Sequence, residues 1–111
     1  MFCKVEESGY QQVLPGIERK TLVHGEKTLL AAFRLAAKSV LPRHAHVYEQ
    51  TGYLVSGRIV LIIGEERFAA EAGDSWCIPG HREHSAEILE DALVIEIFSP
   101  VREDYLPGKR R

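Results

Sequence analysis

Turn signals divide this sequence into runs too short for ordinary helices, and the runs between them have strand composition. Ser56-Gly57, Gly64-Glu65, Ala72-Gly73-Asp74, Pro79-Gly80 and Glu90-Asp91 separate segments rich in β-branched and apolar residues. Glycine takes positive φ at such points and proline removes a backbone donor, so regular structure stops there. Residues 58 to 63 (RIVLII) read as a strand buried on both faces. Residues 28 to 37 place Leu29, Phe33, Leu35 and Ala37 on one parity, with Arg34 and Lys38 on the other. That is the period of a half-buried strand, although its alanines also suit a helix, and Pro42 stops any helix from continuing. Further strands are expected over residues 52 to 55, 66 to 71, 75 to 78, 84 to 89 and 92 to 98. About eight short strands, with turns about every 8 to 12 residues, predict an all-β protein, a small antiparallel sandwich or barrel.

A chain of 111 residues holds one domain, because two cores would each be marginal at this size. That domain is expected over residues 1 to 111, with residues 100 to 111 as a tail carrying Pro100, Pro107 and Gly108 that wraps over something. Apolar residues are 45% and charged residues 27%, which excludes a disordered or fibrous chain. No uninterrupted apolar run is longer than that from Ile59 to Ile63, far short of the ~20 residues of a membrane helix. Fourteen Lys and Arg against sixteen Asp and Glu give a net charge of -2, which favours neither nucleic acid nor an anionic membrane as partner. The basic cluster Lys109-Arg110-Arg111 reads as a solvated end. Cys3 and Cys77 make no disulfide framework. The N-terminus has no secretory apolar region, so reduced thiols in a cytoplasm are expected. Cys77, beside Trp76, reads as a buried, inert thiol. Tyr10, Tyr53 and Tyr105 read as packing or interface residues. Ile59, Leu61 and Ile63 lie opposite Val60 and Ile62, so both faces of that strand need cover, and a homodimer is expected.

The five histidines stand at 24, 44, 46, 81 and 84. His44 and His46 are two apart, so on a strand they share a face with Cα atoms about 6.6 Å apart. Two such imidazoles can converge on one ion at metal–nitrogen bonds near ~2.1 Å. Gln50 is the next candidate, but a straight strand would put it about 20 Å from His44. The chain must therefore bend between His46 and Gln50. His84, at the start of a strand beyond Pro79-Gly80, is a fourth candidate. His24, beside Gly25, and His81, nearer the turn, read as surface residues.

These spacings carry a resemblance. His44-Ala45-His46, three residues, Gln50, six residues and Gly57 match the first motif of the cupin superfamily. Gly73, five residues, Pro79 and His84 five positions on match its second. The chain resembles a small single-domain cupin, which implies a double-stranded β-helix, or jelly-roll barrel. Lys38 stands where the motif has glycine, His81 stands two residues after Pro79 where glycine is expected, and Ile88 replaces a frequent asparagine. The interval to Gly57 favours Gln50 over Glu49 as the replacement for the usual carboxylate ligand. Three neutral imidazoles and an amide would leave a divalent ion its full charge, which attracts an anionic ligand and strengthens Lewis acidity. Imidazole ligands suit Zn, Ni, Fe, Mn or Cu.

Glu96 is the one charged residue within residues 92 to 98 (ALVIEIF). Val94 and Phe98 share its face, and Leu93, Ile95 and Ile97 hold the other. Either this carboxylate faces outward on a half-wet sheet, or it is an interior general acid/base whose pKa burial raises. Arg102, beyond Ser99-Pro100-Val101, can swing over the barrel mouth, where its fork suits a carboxylate. The stretch from Glu96 to Leu106, together with Pro15-Gly16-Ile17-Glu18-Arg19-Lys20 and Gln50, is similar to the pectin-degradation cupins. That resemblance implies conversion of 4,5-unsaturated uronates to linear ketouronates, with His44, His46, Gln50 and His84 on a metal and Glu96, Phe98 and Arg102 in the chemistry. The family has Asp where this chain has Glu96. Tyr48 and Trp76 are candidates to line the ring site with Phe98. The expected partner is a small anionic sugar acid. Two other readings remain at this point: an iron- or copper-dependent cupin dioxygenase, and a non-catalytic sugar-acid binding module.

Overall fold

The structure, a computed structural model, is described over residues 1 to 106, and among these it contains eight strands and one short 3-10 turn. The strands are β1 (Gln11–Leu14), β2 (Ile17–His24), β3 (Leu29–Leu35), β4 (Val40–His44), β5 (Glu49–Ile63), β6 (Glu66–Glu71), β7 (Ser75–Ile78) and β8 (His84–Ser99), and the turn spans Glu103–Tyr105. Hydrogen bonds link them in the order β1-β2-β3-β8-β5-β6, with β4 on β8 and β7 on β5. Every pairing is antiparallel. No helix among the described residues is long and apolar enough to cross a membrane.

Two long strands organise the roll. β5 pairs with β7 through residues 50 to 53 and with β6 through residues 58 to 63, and β8 pairs with β4 and then β3 along its length. The sequence reading broke both strands, at Ser56-Gly57 and at Glu90-Asp91, and both breaks are corrected: the chain runs on as strand through each. The β5–β8 register slips at residues 54 to 59. Gly57 has φ +91, and a Cβ there would stand 2.2 Å from the Asp91 carbonyl, so only glycine allows the strands to pass this closely. The slip also changes parity. Gln50, Gly52 and Leu54 face inward before it, and Ile59 and Leu61 face inward after it, which is the signature of a bulge. A bulge glycine and a turn glycine look alike in sequence. Gly64-Glu65 does form the two-residue turn expected of it, joining Ile63 to Glu66.

β1, β2 and β4 lacked a clear signal because β1 is four residues with two glutamines and charged residues interrupt β2 and β4. Pro42 is tolerated inside β4 because that strand pairs on one side only, with β8, where a missing N–H costs little. Ile17, Leu35, Leu54, Ile59, Ile78, Ile88 and Val94 form the main core. A second cluster at the barrel mouth joins Leu29, Ala31 and Phe98 to Tyr48, Val101, Tyr105 and Leu106, so residues 101 to 106 fold back over that end. The basic residues Lys109, Arg110 and Arg111 and the tail residues Pro107 and Gly108 lie outside the described residues.

Two further expectations change. Residues 58 to 63 are buried on one face only. Val60 and Ile62 are half-buried on the outer face, where they stand opposite Glu87 and Arg67, and those two side chains pair at 2.9 Å. The stems of that pair cover part of the apolar surface that had argued for a second copy. Cys77 is exposed, because β7 turns Trp76 and Ile78 toward the core and alternation sends Cys77 outward. Its thiol lies 3.8 Å from Glu49 Oε2. Desolvation and that carboxylate hold its pKa above the ordinary thiol value, which disfavours the reactive thiolate.

Candidate functional site

His44 closes β4 and His84 opens β8, and the two are direct partners in the β4–β8 register. Their ring centroids are 4.2 Å apart. His46 lies two residues past the end of β4, with its ring 5.6 Å from His44 and 5.0 Å from His84. One nitrogen from each ring lies within 4.8 Å of the others. The chain bends at residues 47 and 48 before β5 begins. The Pro79-Gly80-His81 turn backs this bend. His81 N donates to the His46 carbonyl at 2.6 Å, and a Cβ on Gly80 would meet Val47 O at 2.5 Å. His81 itself is exposed, as its place in the turn predicts.

Backbone carbonyls set the orientation of all three rings. Nδ1 of His44 meets Pro42 O at 2.8 Å, that of His46 meets Tyr48 O at 3.0 Å, and that of His84 meets Arg82 O at 2.8 Å. A carbonyl only accepts, so each Nδ1 carries the proton and each Nε2 keeps its lone pair. His46 Nε2 and His84 Nε2 are buried with no hydrogen-bond partner. Burial holds the His84 pKa down to about 4. Burial and, next, the Arg102 charge also depress His46. Neutral imidazoles with inward lone pairs are the state a metal requires.

Gln50 is buried, 6% exposed, one residue into β5. Its Nε2 donates to Glu96 Oε1, while its Oε1 is buried without a partner. Glu49, one residue earlier, faces outward beside Cys77. Three buried acceptors left unmatched (two imidazole nitrogens and an amide oxygen) are costly unless an electron-pair acceptor joins them. With His44 they form a neutral N,N,N,O set that fits a divalent transition ion.

Glu96 faces inward at 9% exposure. Its cross-strand neighbours are the small residues Ala31 and Gly52. Trp76 packs over Gly52 so closely that a Cβ there would stand 2.3 Å from the indole Nε1. Burial pushes the Glu96 pKa up to about 8, against the opposing pull of the Gln50 amide, the Trp76 indole and the Arg102 cation. By hydrogen-bond geometry Trp76 Nε1 has no partner, so its effect on Glu96 is that of a nearby dipole.

His44, Gln50, Trp76, His84, Glu96, Phe98 and Arg102 line one cavity. Phe98 is buried, with its ring 6.0 Å from that of His46. Tyr48 does not line this cavity; it stands beside Arg102, whose Cζ is 5.2 Å from its ring. Tyr105, read from sequence as a packing or interface residue, does line the cavity. Arg19, which had no role assigned, stacks on it at 3.8 Å. The signal for Arg19 was present: it shares parity on β2 with the fully buried Ile17, so it too is directed inward.

The antiparallel roll and its two histidine motifs define a cupin. The family model for the cupin domain matches residues 31–98, and the chain belongs to that family. Within it, the chain is similar to the pectin degradation protein KdgF of Dickeya dadantii, with 24% identity over 103 residues that cover 91% of this chain and 94% of that one. The solved structure of KdgF from a Halomonas species superimposes with a TM-score of 0.90 at 34% identity, covering 96% of this chain and 98% of that one. An RmlC-like cupin from Shewanella frigidimarina superimposes with a TM-score of 0.89 at 26% identity, covering 95% of both chains.

Proposed function

We propose that this cupin holds a divalent transition ion with His44, His46, Gln50 and His84 and converts 4,5-unsaturated uronates from pectin or alginate breakdown to linear ketouronates. The observation that carries the reading is Glu96: a protonatable carboxyl, buried in the same cavity as His44 and His84 of the histidine cluster and hydrogen-bonded to Gln50. The similarity to KdgF proteins supports the substrate class. When bound, the ion would supply Lewis-acid polarisation of a substrate oxygen.

The chain's own residues account for the rest. Arg102 offers its guanidinium fork to the substrate carboxylate. Phe98 and Trp76 wall the ring. The ring bond opens as the anomeric hydroxyl loses its proton, and the resulting enol becomes a ketone when the former double-bond carbon gains one. Glu96 carries that proton, which suits a carboxyl whose pKa lies near neutrality. Protons lost and gained balance, so the conversion is an isomerisation and needs no electron acceptor. The test is to incubate metal-loaded protein with unsaturated galacturonate and follow the absorbance of the 4,5-double bond. Accelerated loss, without oxygen consumption, is expected; a rate equal to buffer with metal bound removes the reading.

A further inference from the structure

The cavity is lined in part by a residue the reaction scheme does not use. Tyr105 is held by two guanidiniums, with Arg19 Cζ 3.8 Å and Arg102 Cζ 4.0 Å from its ring centroid. Both guanidiniums therefore make cation–π contact with this one ring. Phe33 and Phe98 pack against it in T-shaped geometry, with ring centroids 6.3 and 5.2 Å away. The Thr21 hydroxyl donates to the Tyr105 carbonyl, which pins the 3-10 turn to β2. Arg102 is thus stacked on Tyr105, flanked at 5.2 Å by Phe98 and Tyr48, and only 15% of its side chain is exposed.

Asp104 restrains the same guanidinium from its edge. Arg102 Nε donates to Asp104 Oδ1 at 3.1 Å and to Oδ2 at 3.3 Å. No hydrogen bond to its Nη atoms is present among the described residues, although Arg102 lines the cavity. A long side chain loses rotamer freedom when it binds, and holding it in advance reduces that cost. Aromatic stacking and an ion pair on Nε leave the two-pronged Nη edge for a planar anion.

We infer that Tyr105 is a positioning residue, and that with Asp104 and Arg19 it presets Arg102 as the receptor for the carboxylate of a sugar acid. The choice of ligand rests on the proposed uronate reading; the presetting of Arg102 does not. Arg19 does not line the cavity, and it meets the site through its stack on Tyr105.

The experiment measures binding of D-galacturonate and of neutral D-galactose to metal-loaded protein by calorimetry, together with metal content and KM on unsaturated galacturonate. Tyr105→Leu should weaken galacturonate about tenfold and raise KM similarly, with galactose affinity and metal content unchanged. Tyr105→Phe, which keeps the ring, should stay within about twofold of the parent. Arg19→Gln guards against a Tyr105 variant that fails to fold, and should show a smaller loss with the same selectivity. In an Arg102→Ala background, Tyr105→Leu should cause no further loss. An undiminished loss in that background, an equal loss for galactose, or a parent protein that does not bind galacturonate would each overturn the inference. Selective galacturonate binding without turnover would instead retire the isomerase reading and leave the role of Tyr105 standing.

Discussion

Gln50 and Glu96 share a hydrogen bond in which the amide nitrogen donates and the carboxyl accepts, and that bond sets which way the amide points. Its oxygen is left buried and unmatched. One side chain thereby links the donor set to the proton carrier. Gln50→Ala should lower metal affinity about 10- to 100-fold and, by removing a donor that favours the anion, raise the Glu96 pKa further. Metal titration followed by a competing chelator checks the first effect. An affinity equal to the parent's would remove Gln50 from the ligand set.

Glu96→Gln keeps the shape of the side chain and removes its proton chemistry. Turnover of unsaturated galacturonate should fall by about 10²–10⁴-fold, while metal content stays at the parent level. Stopped assays and elemental analysis on the same preparation separate the two. Retained activity would refute the role assigned to this carboxyl.

The same burial predicts an alkaline weakness in the metal-free protein. The Glu96 pKa rises from 4.5 in the unfolded chain to about 8 in the fold, so the folded state holds the proton more tightly. Its contribution to stability is fully present below the unfolded value and is lost as pH rises through about 8. His84 acts in the opposite direction. Its pKa falls from 6.5 to about 4, so its contribution is present above 6.5 and lost as pH falls through about 4. Thermal melts of chelated protein across about pH 5 to 9 should therefore fall at the alkaline end, and Glu96→Gln should flatten that limb alone. An unchanged alkaline slope in the variant would mean that Glu96 is solvated.

Gly52 should be intolerant of any side chain. It faces Trp76 on β7 and Glu96 on β8, and an added Cβ would stand 2.3 to 2.6 Å from three atoms of the indole. Gly52→Ala should cost about 1–3 kcal/mol of stability and displace Trp76 from the cavity wall. Because the chain has one tryptophan, its emission maximum reports that movement directly. A parental spectrum would show that the indole has room to spare.

What was legible in the sequence divides along physical lines. The positions of His44, His46, Gln50 and His84 could be read because motif spacing is a short-range distance constraint, and the need for a bend before Gln50 followed from strand rise alone. The inward face of Glu96 stayed open, since alternation does not say which face of a strand meets the core. Continuity of β5 and β8 was hidden because Gly57 and Asp91 meet across strands, and a bulge glycine has the local signature of a turn. Cys77 was placed inside because no base or cationic helix end stands near it in sequence, and the parity of β7, which turns Trp76 and Ile78 inward, was not applied. The role of Tyr105 was invisible for a different reason: its partners, Arg19 and Arg102, come from opposite ends of the chain and meet only when the barrel closes.

The two residues that stand where the cupin motif has glycine both take a backbone conformation that favours glycine. Lys38 and His81, where glycine is expected, both adopt positive φ, at 74° and 68°. The fold thus imposes the left-handed conformation at both points on residues that carry a Cβ, which disfavours it by roughly 1–2 kcal/mol. Lys38 lies in the connection between β3 and β4, where its amide donates to Ile88 O at 2.8 Å, and it has no part in the cavity. Lys38→Gly should relieve that strain, and the greater freedom of glycine in the unfolded chain should return part of the gain. The net expectation is about 0.5–1 kcal/mol of added stability, a rise of a few degrees in Tm, with metal content and turnover unchanged. Lys38→Ala, which keeps a Cβ, should gain nothing. Equal melting temperatures for the glycine and alanine variants would show that the left-handed backbone at this position carries no cost.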